Sequence, residues 1–293
     1  MENENILVID GVSKQYPDFA LQNISFQIPY GAVMGFIGEN GAGKSTTIKL
    51  ILDIIRRDAG KILLFGRDNR EGKELREEIG VVFSELNLPE AMNALQVSRI
   101  MGGIYRGWEE NTFFGFLRRF ALKKEMKIKA YSRGMKMKLA IAIALSHRAR
   151  LLLLDEPTSG LDPVVRDEIL DIFREFILDE HNGILISSHI TEDLNKIADY
   201  ITLIHQGRLL FCEEKDPLLD KYRLLKAPAQ VLELLPPGAV VGKRENHFGV
   251  EALVEREALA RIQIPENAAA DPAGLEDIML YHVRGGRHER VTA

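Results

Sequence analysis

Apolar residues along the first two thirds of the chain follow two different periods. Short runs that are almost wholly apolar predict buried strands, at residues 32–37, 79–83, 151–154, 183–189 and 200–204. Between these runs apolar residues recur at helical spacing, as in the series Ile48, Ile51, Leu52 and Ile55 and in a helix predicted over 163–177. Buried strands that alternate with amphipathic helices predict an α/β fold, in which helices cover both faces of a parallel sheet.

Three segments depart from this alternation. Runs at 6–9 and 24–28 predict antiparallel strands at the N-terminal end, and 61–65 predicts another strand. From about 90 to 148 the pattern is helical, basic and rich in aromatic residues, with helices predicted at 113–120 and 136–145. Beyond about 215 it weakens: Phe248, Val250, Ala252 and Val254 alternate as in a strand, 261–264 is a candidate partner strand, and 275–283 is helical. This tail predicts a small α+β appendage.

Composition narrows the class of protein. The 293 residues carry a net charge of -5, so no overall basic surface points to nucleic acid as a partner. A single cysteine excludes an internal disulfide and fits a reducing compartment. No apolar run approaches the roughly 20 residues that a membrane-spanning helix needs. Any role at a membrane is therefore expected to depend on a partner.

A glycine-rich loop follows the strand at 32–37. It fits the pattern G-x-x-x-x-G-K-[ST] at every fixed position, between a predicted strand and a predicted helix. The backbone N–H groups of this loop are expected to surround a phosphate. The loop residues expected to bind the nucleotide in this way are Gly38, Asn40, Gly41, Ala42, Gly43 and Thr46. Lys44 is expected to reach the β- and γ-phosphates and Ser45 to bind Mg²⁺. The alternative is a glycine-rich turn that only connects two elements.

Two carboxylates, Asp155 and Glu156, end the run of leucines at 151–154. Asp155 is the expected partner of Mg²⁺, and Glu156 is placed to accept a proton from an attacking water or to orient it. The alternative is that the two acids only cap a helix or form a surface turn. Their position directly after four buried leucines makes this less favourable, because burying carboxylates without a cation or donors is costly. His189 follows another strand of the same sheet, so it is expected at the same edge as Lys44 and Asp155.

Two further features have both a structural and a functional interpretation. Ser132 and Gly134 stand at the start of a predicted helix and predict either a plain capped helix or a second anion-binding helix terminus. Tyr16 is either a half-buried strand aromatic or a platform on which a nucleotide base stacks.

Together these motifs resemble the ATP-binding subunit of an ABC transporter, in the family's order from Tyr16 to His189. The resemblance implies an ATPase domain over 1–215, with an inserted helical subdomain at about 86–148 and an accessory domain over 216–293. It implies that Tyr16 stacks on adenine, that residues 131–135 form a variant signature motif, and that His189 is the switch histidine. Asp155 and Glu156 match the Mg²⁺ acid and the catalytic carboxylate, and the loop 159–162 matches the one that crosses a dimer interface.

The resemblance also implies how the protein works. Two subunits, identical or related, sandwich two ATP molecules with Mg²⁺, and Ser132 and Gly134 of one close over the nucleotide held by the other. Closure on ATP and opening after hydrolysis drive a separate transmembrane permease, which docks near residues 85–107. The subunit is then expected at the cytoplasmic face of the cell membrane, as a peripheral protein.

Two positions depart from the family's pattern. Ser84 replaces the usual glutamine, so that its short side chain is expected to reach Mg²⁺ only through water, and coupling to the permease can run through Glu85. Arg133 and Met135 replace a common glycine and glutamine of the signature. The variant signature and the single nucleotide domain resemble bacterial exporter subunits for drugs, antimicrobial peptides or lipids. The alternatives are a soluble ABC ATPase that acts on ribosomes or DNA, and an ATP sensor that does not turn over.

Overall fold

The computed structural model describes residues 4–72, 74–246 and 249–285. The chain divides into two compact units, Met1–Leu209 and Leu210–Ala293, and each is described by itself. Phe248, predicted to lie on a strand, is outside the described residues. No helix among the described residues is long and apolar enough to cross a bilayer.

The elements of unit 1 are numbered in chain order. Its strands are β1 (Asn5–Gln15), β2 (Ala20–Pro29), β3 (Val33–Ile37), β4 (Ala59–Leu64), β5 (Arg67–Asp68), β6 (Ile79–Val82), β7 (Leu151–Asp155), β8 (Gly183–Ser188), β9 (Tyr200–His205) and the start of β10 (Arg208–Glu214). Its helices are α1 (Lys44–Ile51), α2 (Glu74–Glu77), α3 (Ala94–Ile104), α4 (Glu110–Arg119), α5 (Arg133–Ala144), α6 (Pro163–Ile177), α7 (Thr191–Ile197) and a 3₁₀ turn at Ile128–Ala130.

A parallel sheet with the order β9-β3-β8-β7-β6 forms the centre of unit 1, and β10 begins at its β9 edge. Every residue of β3, β7 and β8 is buried, as expected for strands covered on both faces. In the register, Asp155 pairs with Ser187, and Ile37 with Ser188. The residues that follow Ile37, Asp155 and Ser188 therefore meet at one edge of the sheet.

A second sheet, with the order β2-β1-β4-β5, is antiparallel and confirms the predicted N-terminal strands. Ile24, Phe26 and Ile28 of β2 are buried while the residues between them are exposed. This alternation is that of a strand with one face on a core and one in solvent. Helices α3, α4 and α5 lie between β6 and β7 in the chain, so the helical segment is an insertion in the sheet.

The helix after the glycine-rich loop is shorter than the apolar period predicted. It ends at Ile51, and Ile55, expected on the same helix, lies beyond it. Asp53 adopts a left-handed conformation, with φ 52°, which stops the helix. Buried Asn69 then donates hydrogen bonds from Nδ2 to the carbonyls of Leu50 and Ile51, at 2.8 and 2.9 Å, and so satisfies the end of α1.

Unit 2 contains a four-stranded antiparallel sheet with helices. The described elements are the rest of β10, α8 (Lys215–Lys221), β11 (Tyr222–Ala227), a 3₁₀ helix at Ala229–Leu234, β12 (Val240–Asn246), β13 (Gly249–Glu255), α9 (Arg256–Leu259), β14 (Ala269–Pro272) and α10 (Leu275–Gly285). The strand order β12-β13-β11-β14 and the packing of α10 on β12 and β13 make this unit α+β, as predicted.

The candidate strand at 261–264 is wrong. These residues turn and run irregularly after α9, because the N–H groups of Arg261 and Ile262 donate to the carbonyls of Ala258 and Leu259. These N–H groups therefore form local turn bonds and cannot pair with a neighbouring strand. The neighbours of β13 are instead β12 and β11.

Candidate active site

The loop between β3 and α1 is shaped by glycines at positions where a side chain would be strained or crowded. Gly43 has φ 119°, and a Cβ placed there would lie 2.5 Å from Leu21 and 3.1 Å from Phe19. At Gly38 a Cβ would lie 2.4 Å from the carbonyl oxygen of Ile204. Gly43 is also the N-cap of α1, and no side chain caps this helix. The first N–H groups of α1 are therefore available to an anion.

A cavity of about 530 Å³ opens over this loop. Its lining comprises Asp18, Phe19, Glu39, Asn40, Gly41, Gly43, Lys44, Ser45, Thr46 and Glu156. The structure thus brings Glu156 to the same cavity as most of the predicted loop residues. Ala42 and Gly38 are buried in the loop itself.

Lys44 lies inside this site with only 6 % of its surface exposed. Its Nζ donates hydrogen bonds to the carbonyl oxygens of Gly38, at 2.7 Å, and Glu39, at 3.4 Å, and stands 3.3 Å from Oε1 of Glu156. A buried ammonium held by its own loop is a strong positive charge beside the cavity, suited to phosphate oxygens.

Glu156 has the most unusual backbone of the site, with φ 55° in the left-handed region. Its N–H donates to the carbonyl and the hydroxyl of Ser187, both at 3.1 Å. These bonds hold Glu156, which follows β7, against the neighbouring strand β8. Its Oε2 lies 2.6 Å from Nδ1 of His189, whereas its buried Oε1 accepts no hydrogen bond from any residue that the structure describes. Because a carboxylate only accepts, Nδ1 is the donor, and this sets the tautomer of a neutral imidazole.

Asp155 is 5 % exposed, and its Oδ1 accepts a hydrogen bond from Ser187 Oγ at 2.7 Å. Ser187 thus contacts both acids of the site, a role that the sequence analysis missed. The available signal was a pair of serines at the end of an otherwise apolar strand.

A second aromatic residue, Phe19, lies against the loop beside the predicted Tyr16. Phe19 lines the cavity, and Tyr16, which is half-buried, is absent from the lining and has its ring centroid 6.4 Å from that of Phe19. The sequence signal that was missed is a second aromatic residue in the same turn.

Ser132 and Gly134 are not brought to this cavity within the chain. Ser132 is the exposed N-cap of α5, and its Oγ accepts from the N–H of Met135 at 3.2 Å. The Arg133 guanidinium lies against Gly160, where an added Cβ would come within 2.6 Å of Nη1. The signature segment and the loop 159–162 therefore touch each other in the single chain.

Ser84 lines a second cavity, of about 480 Å³, together with Glu85, Arg133 and others. This cavity shares no lining residue with the one over the glycine-rich loop. Ser84 therefore lines this cavity together with Tyr131 and Arg133 of the signature segment.

These residues fit a nucleoside triphosphate with its Mg²⁺. The glycines leave a cradle that a Cβ would fill, and a buried lysine supplies the positive charge. Glu156 Oε1, which accepts no hydrogen bond from the described residues, is a carboxylate oxygen able to accept a proton. The Ser45 hydroxyl and the Asp155 carboxylate are oxygen donors of the kind that Mg²⁺ prefers.

Comparison with known proteins agrees with this geometry. The family model for ABC transporters matches residues 21–159. A lantibiotic transport ATP-binding protein, SrtF of Streptococcus pyogenes, is 35% identical over 214 residues, which are 72% of this chain and 92% of SrtF. The bacitracin transport ATP-binding protein BcrA of Bacillus licheniformis is 34% identical over 238 residues, 79% of this chain and 75% of BcrA.

A solved structure of an ATP-binding subunit of an ABC transporter superposes with a TM-score of 0.67 at 28% identity, over 73% of this chain and 91% of that one. The fold and the site define an ATPase with a phosphate-binding loop. The chain belongs to the family of ABC transporter ATP-binding proteins. The predicted family, fold class and enzyme class are therefore confirmed: this is an ATP-binding and ATP-hydrolysing subunit.

Proposed function

We propose that this chain hydrolyses ATP to drive export through a separate membrane permease. The observation that carries the proposal is the group formed by the largely buried Lys44 and Glu156 and the more exposed His189 beside the glycine-rich loop, in which Glu156 Oε1 accepts no hydrogen bond from the described residues. The lantibiotic and bacitracin transport proteins among the relatives support a compound of antibiotic type as the substrate. In its broader form, the proposal also includes drugs and lipids as exported substrates.

Binding of the nucleotide uses the loop and an aromatic platform. The loop N–H groups and Lys44 hold the phosphates, and the carbonyls of Gly38 and Glu39 release the ammonium as the phosphate oxygens arrive. Ser45 and Asp155 are the residues that would hold Mg²⁺, which when bound neutralises charge on the phosphates. Phe19 and Tyr16 offer ring faces to the adenine.

Hydrolysis needs one water to be oriented and deprotonated. Glu156 accepts its proton on Oε1, since Oε2 is held by His189. Because Nδ1 of His189 donates to Glu156, its Nε2 is left to face the γ-phosphate or the water.

The remaining contacts come from a second subunit. Ser132 is exposed at the start of α5 and lies outside its own chain's cavity, so it is available to a nucleotide held by another copy or a relative. We place Ser132 and Gly134 on that partner's γ-phosphate. Pairing of this kind gives two composite sites for each dimer.

The permease places the subunit at the cytoplasmic face of the membrane. The test is affinity purification of the tagged chain from membranes of its own organism, with and without ATP, followed by identification of the bound proteins. An integral membrane protein that raises the ATPase rate is the expected result. Co-sedimentation with ribosomes and no membrane partner would overturn the proposal in favour of a soluble ABC ATPase.

The domain division 1–215 and 216–293 stays a proposal, and we assign the tail a regulatory or dimer-stabilising role. Its own sheet and buried core support an independent function. A chain truncated after residue 215 is expected to lose dimerisation or regulation. If its ATPase rate, dimerisation and transport are unchanged, the tail has neither role.

A further inference from the structure

Two helices of unit 1 each continue directly from one partner of the Glu156–His189 hydrogen bond. The loop that starts at Glu156 leads into α6, which Asp162 caps by accepting from the N–H of Val165. His189 follows β8 and leads into α7. The relative position of α6 and α7 therefore affects whether the two side chains stay within hydrogen-bond reach.

A largely buried ion pair joins these helices close to the site. Arg166, in the first turns of α6, donates from Nη2 to Oδ1 of Asp193 on α7 at 2.5 Å. Asp193 is 1 % exposed, and the hydrogen bond that it accepts raises the pKa of the Arg166 guanidinium. Neither residue lines the cavity over the glycine-rich loop. Any effect on ATP must therefore be indirect.

This pair is a costly way to join two helices. Asp193 Oδ2 and Arg166 Nε are buried and have no hydrogen-bond partner among the described residues. The Arg166 side chain is 20% exposed and that of Asp193 is 1% exposed. Taking charged groups this far out of water is costly, and apolar residues of similar volume often stabilise a fold equally well. What the pair adds is a directional contact that fixes the position of α7 on α6.

The same two helices carry a natural control. Lys196 of α7 donates to Asp167 of α6 at 2.9 Å, but the two side chains are 41% and 56% exposed. Exposed pairs of this kind contribute little because solvent screens them. Arg166 Nη2 also lies 3.9 Å from Oε2 of Glu192, an exposed residue of α7. The Lys196–Asp167 pair shares no residue with the Arg166–Asp193 pair and joins the same two helices, so it serves as the control.

We propose that the buried Arg166–Asp193 pair is a positioning device that keeps His189 in place against Glu156. The inference rests on the proposed ATPase mechanism and deepens it, since it names residues that act on catalysis through His189. Loss of the pair lets α7 move, which breaks the short His189–Glu156 contact while the phosphate-binding loop stays intact.

The first test separates turnover from nucleotide binding in the full-length chain. Asp193→Asn and Arg166→Gln are expected to lower kcat at least about tenfold, since small misplacements of catalytic groups are costly, with KM for ATP changed less than about twofold. Arg166→Lys should restore part of the rate. Asp167→Asn and Lys196→Gln should leave both constants unchanged.

The second test needs no ATP. The chain has seven histidines, and the ring signals of His189 can be assigned in NMR spectra by their loss in His189→Gln. In the nucleotide-free protein, Asp193→Asn should shift these signals towards those seen in Glu156→Gln, and Lys196→Gln should not. If Arg166→Gln does not fold, the near-isosteric Asp193→Asn decides.

Unchanged kcat and unchanged His189 signals in Asp193→Asn would overturn the inference. An equal loss of kcat and ATP affinity together with a lower Tm would also overturn it, because that result indicates a structural role only. If the wild-type chain hydrolyses no ATP with any membrane fraction, the proposed function fails, while the His189 spectra still test the positioning role.

Discussion

At the scale of residues, we expect turnover to depend most on Glu156. Its Oε1 is buried, accepts no hydrogen bond from the described residues and is ion-paired with Lys44 Nζ at 3.3 Å, and we propose it as the proton acceptor at the cavity. Glu156→Gln keeps the shape of the side chain and removes its basicity. We expect the ATPase rate to fall by about 10²- to 10⁴-fold while ATP stays bound.

Gel filtration of this variant with ATP checks the same prediction. An ATP-bound dimer should accumulate, because closure occurs and hydrolysis does not reopen it. Lys44→Ala is the control, since loss of the ammonium should weaken nucleotide binding, so that no ATP-trapped dimer accumulates. A monomeric Glu156→Gln protein in saturating ATP would contradict the sandwich.

The aromatic platform yields a second prediction. Phe19 lines the cavity and Tyr16 does not, so Phe19→Ala should weaken ATP binding more than Tyr16→Ala. The expected loss is about 1–3 kcal/mol, the usual contribution of a stacked aromatic to base binding. Equilibrium titration with a fluorescent ATP analogue measures it. A larger loss for Tyr16→Ala would restore the sequence-based assignment.

Residue identities in this site could be predicted where the spacing is fixed. Lys44 and Ser45 follow from one loop pattern, and Asp155 and Glu156 from their position after four leucines. Phe19 and Ser187 could not be assigned, because their roles depend on how separate segments approach each other. Arg166 and Asp193 were missed for the same reason: nothing local in either helix marks its partner.

At the scale of elements, the end of α1 depends on one buried amide. Asn69→Ala removes the two hydrogen bonds to the carbonyls of Leu50 and Ile51 and leaves both unsatisfied. The free energy of unfolding should fall by about 2 kcal/mol. Thermal and denaturant unfolding measure this, with exposed Asn111→Ala as a control that should change stability by less than about 0.5 kcal/mol. Equal stabilities of the two variants would contradict the capping role.

A buried histidine links the helical insertion to the pH dependence of stability. The His147 ring stacks on Tyr105 with centroids 4.0 Å apart, and its Nδ1 donates to the carbonyl of Glu77. Burial lowers the pKa of His147 below its usual 6.5, against the smaller opposing effect of that hydrogen bond. The unfolded chain therefore binds this proton first as pH falls, and the folded state loses stability below about pH 6.5.

His147→Phe should make the unfolding free energy depend less on pH between 7 and 5, by at most about 1.4 kcal/mol per pH unit for one proton. Burial also lowers the pKa of His282, but His282 is present in both proteins, so their difference isolates His147. Exposed His181→Asn serves as the control. An identical slope in wild type and His147→Phe would refute the assignment.

Most elements of unit 1 could be predicted because their apolar periods are unambiguous, as in β7 and α6. The elements of unit 2 were harder to predict from the sequence. Both faces of β11 are partly covered, so Tyr222–Ala227 shows no clean alternation, and the alanines of β14 have low strand propensity. Residues 261–264 look like a strand by composition, but local turn bonds after α9 use their N–H groups.

At the scale of the whole molecule, the proposed composite site makes a prediction about mixed subunits. Lys44 and Glu156 line one cavity, while Ser132 is exposed elsewhere. Lys44→Ala and Ser132→Arg should each be nearly inactive alone. Mixed in equal amounts, they should recover up to about a quarter of the wild-type rate, since half of the random dimers carry one intact pocket of two.

Steady-state ATPase assays of the mixture over a dilution series check this result. The recovered activity should fall on dilution, as the dimers dissociate. Each variant mixed with itself at the same total concentration is the control. No recovery from two folded, dimerising variants would show that each subunit works alone.

Because Glu156 has a left-handed backbone, stability and turnover favour different residues at this position. A residue with a Cβ pays about 1 kcal/mol for that conformation, a cost that glycine avoids. The residue best suited to the backbone is thus the one that cannot deprotonate water. Selection for thermal stability alone would therefore favour glycine at this position. The resulting protein would be more stable and would bind ATP without hydrolysing it.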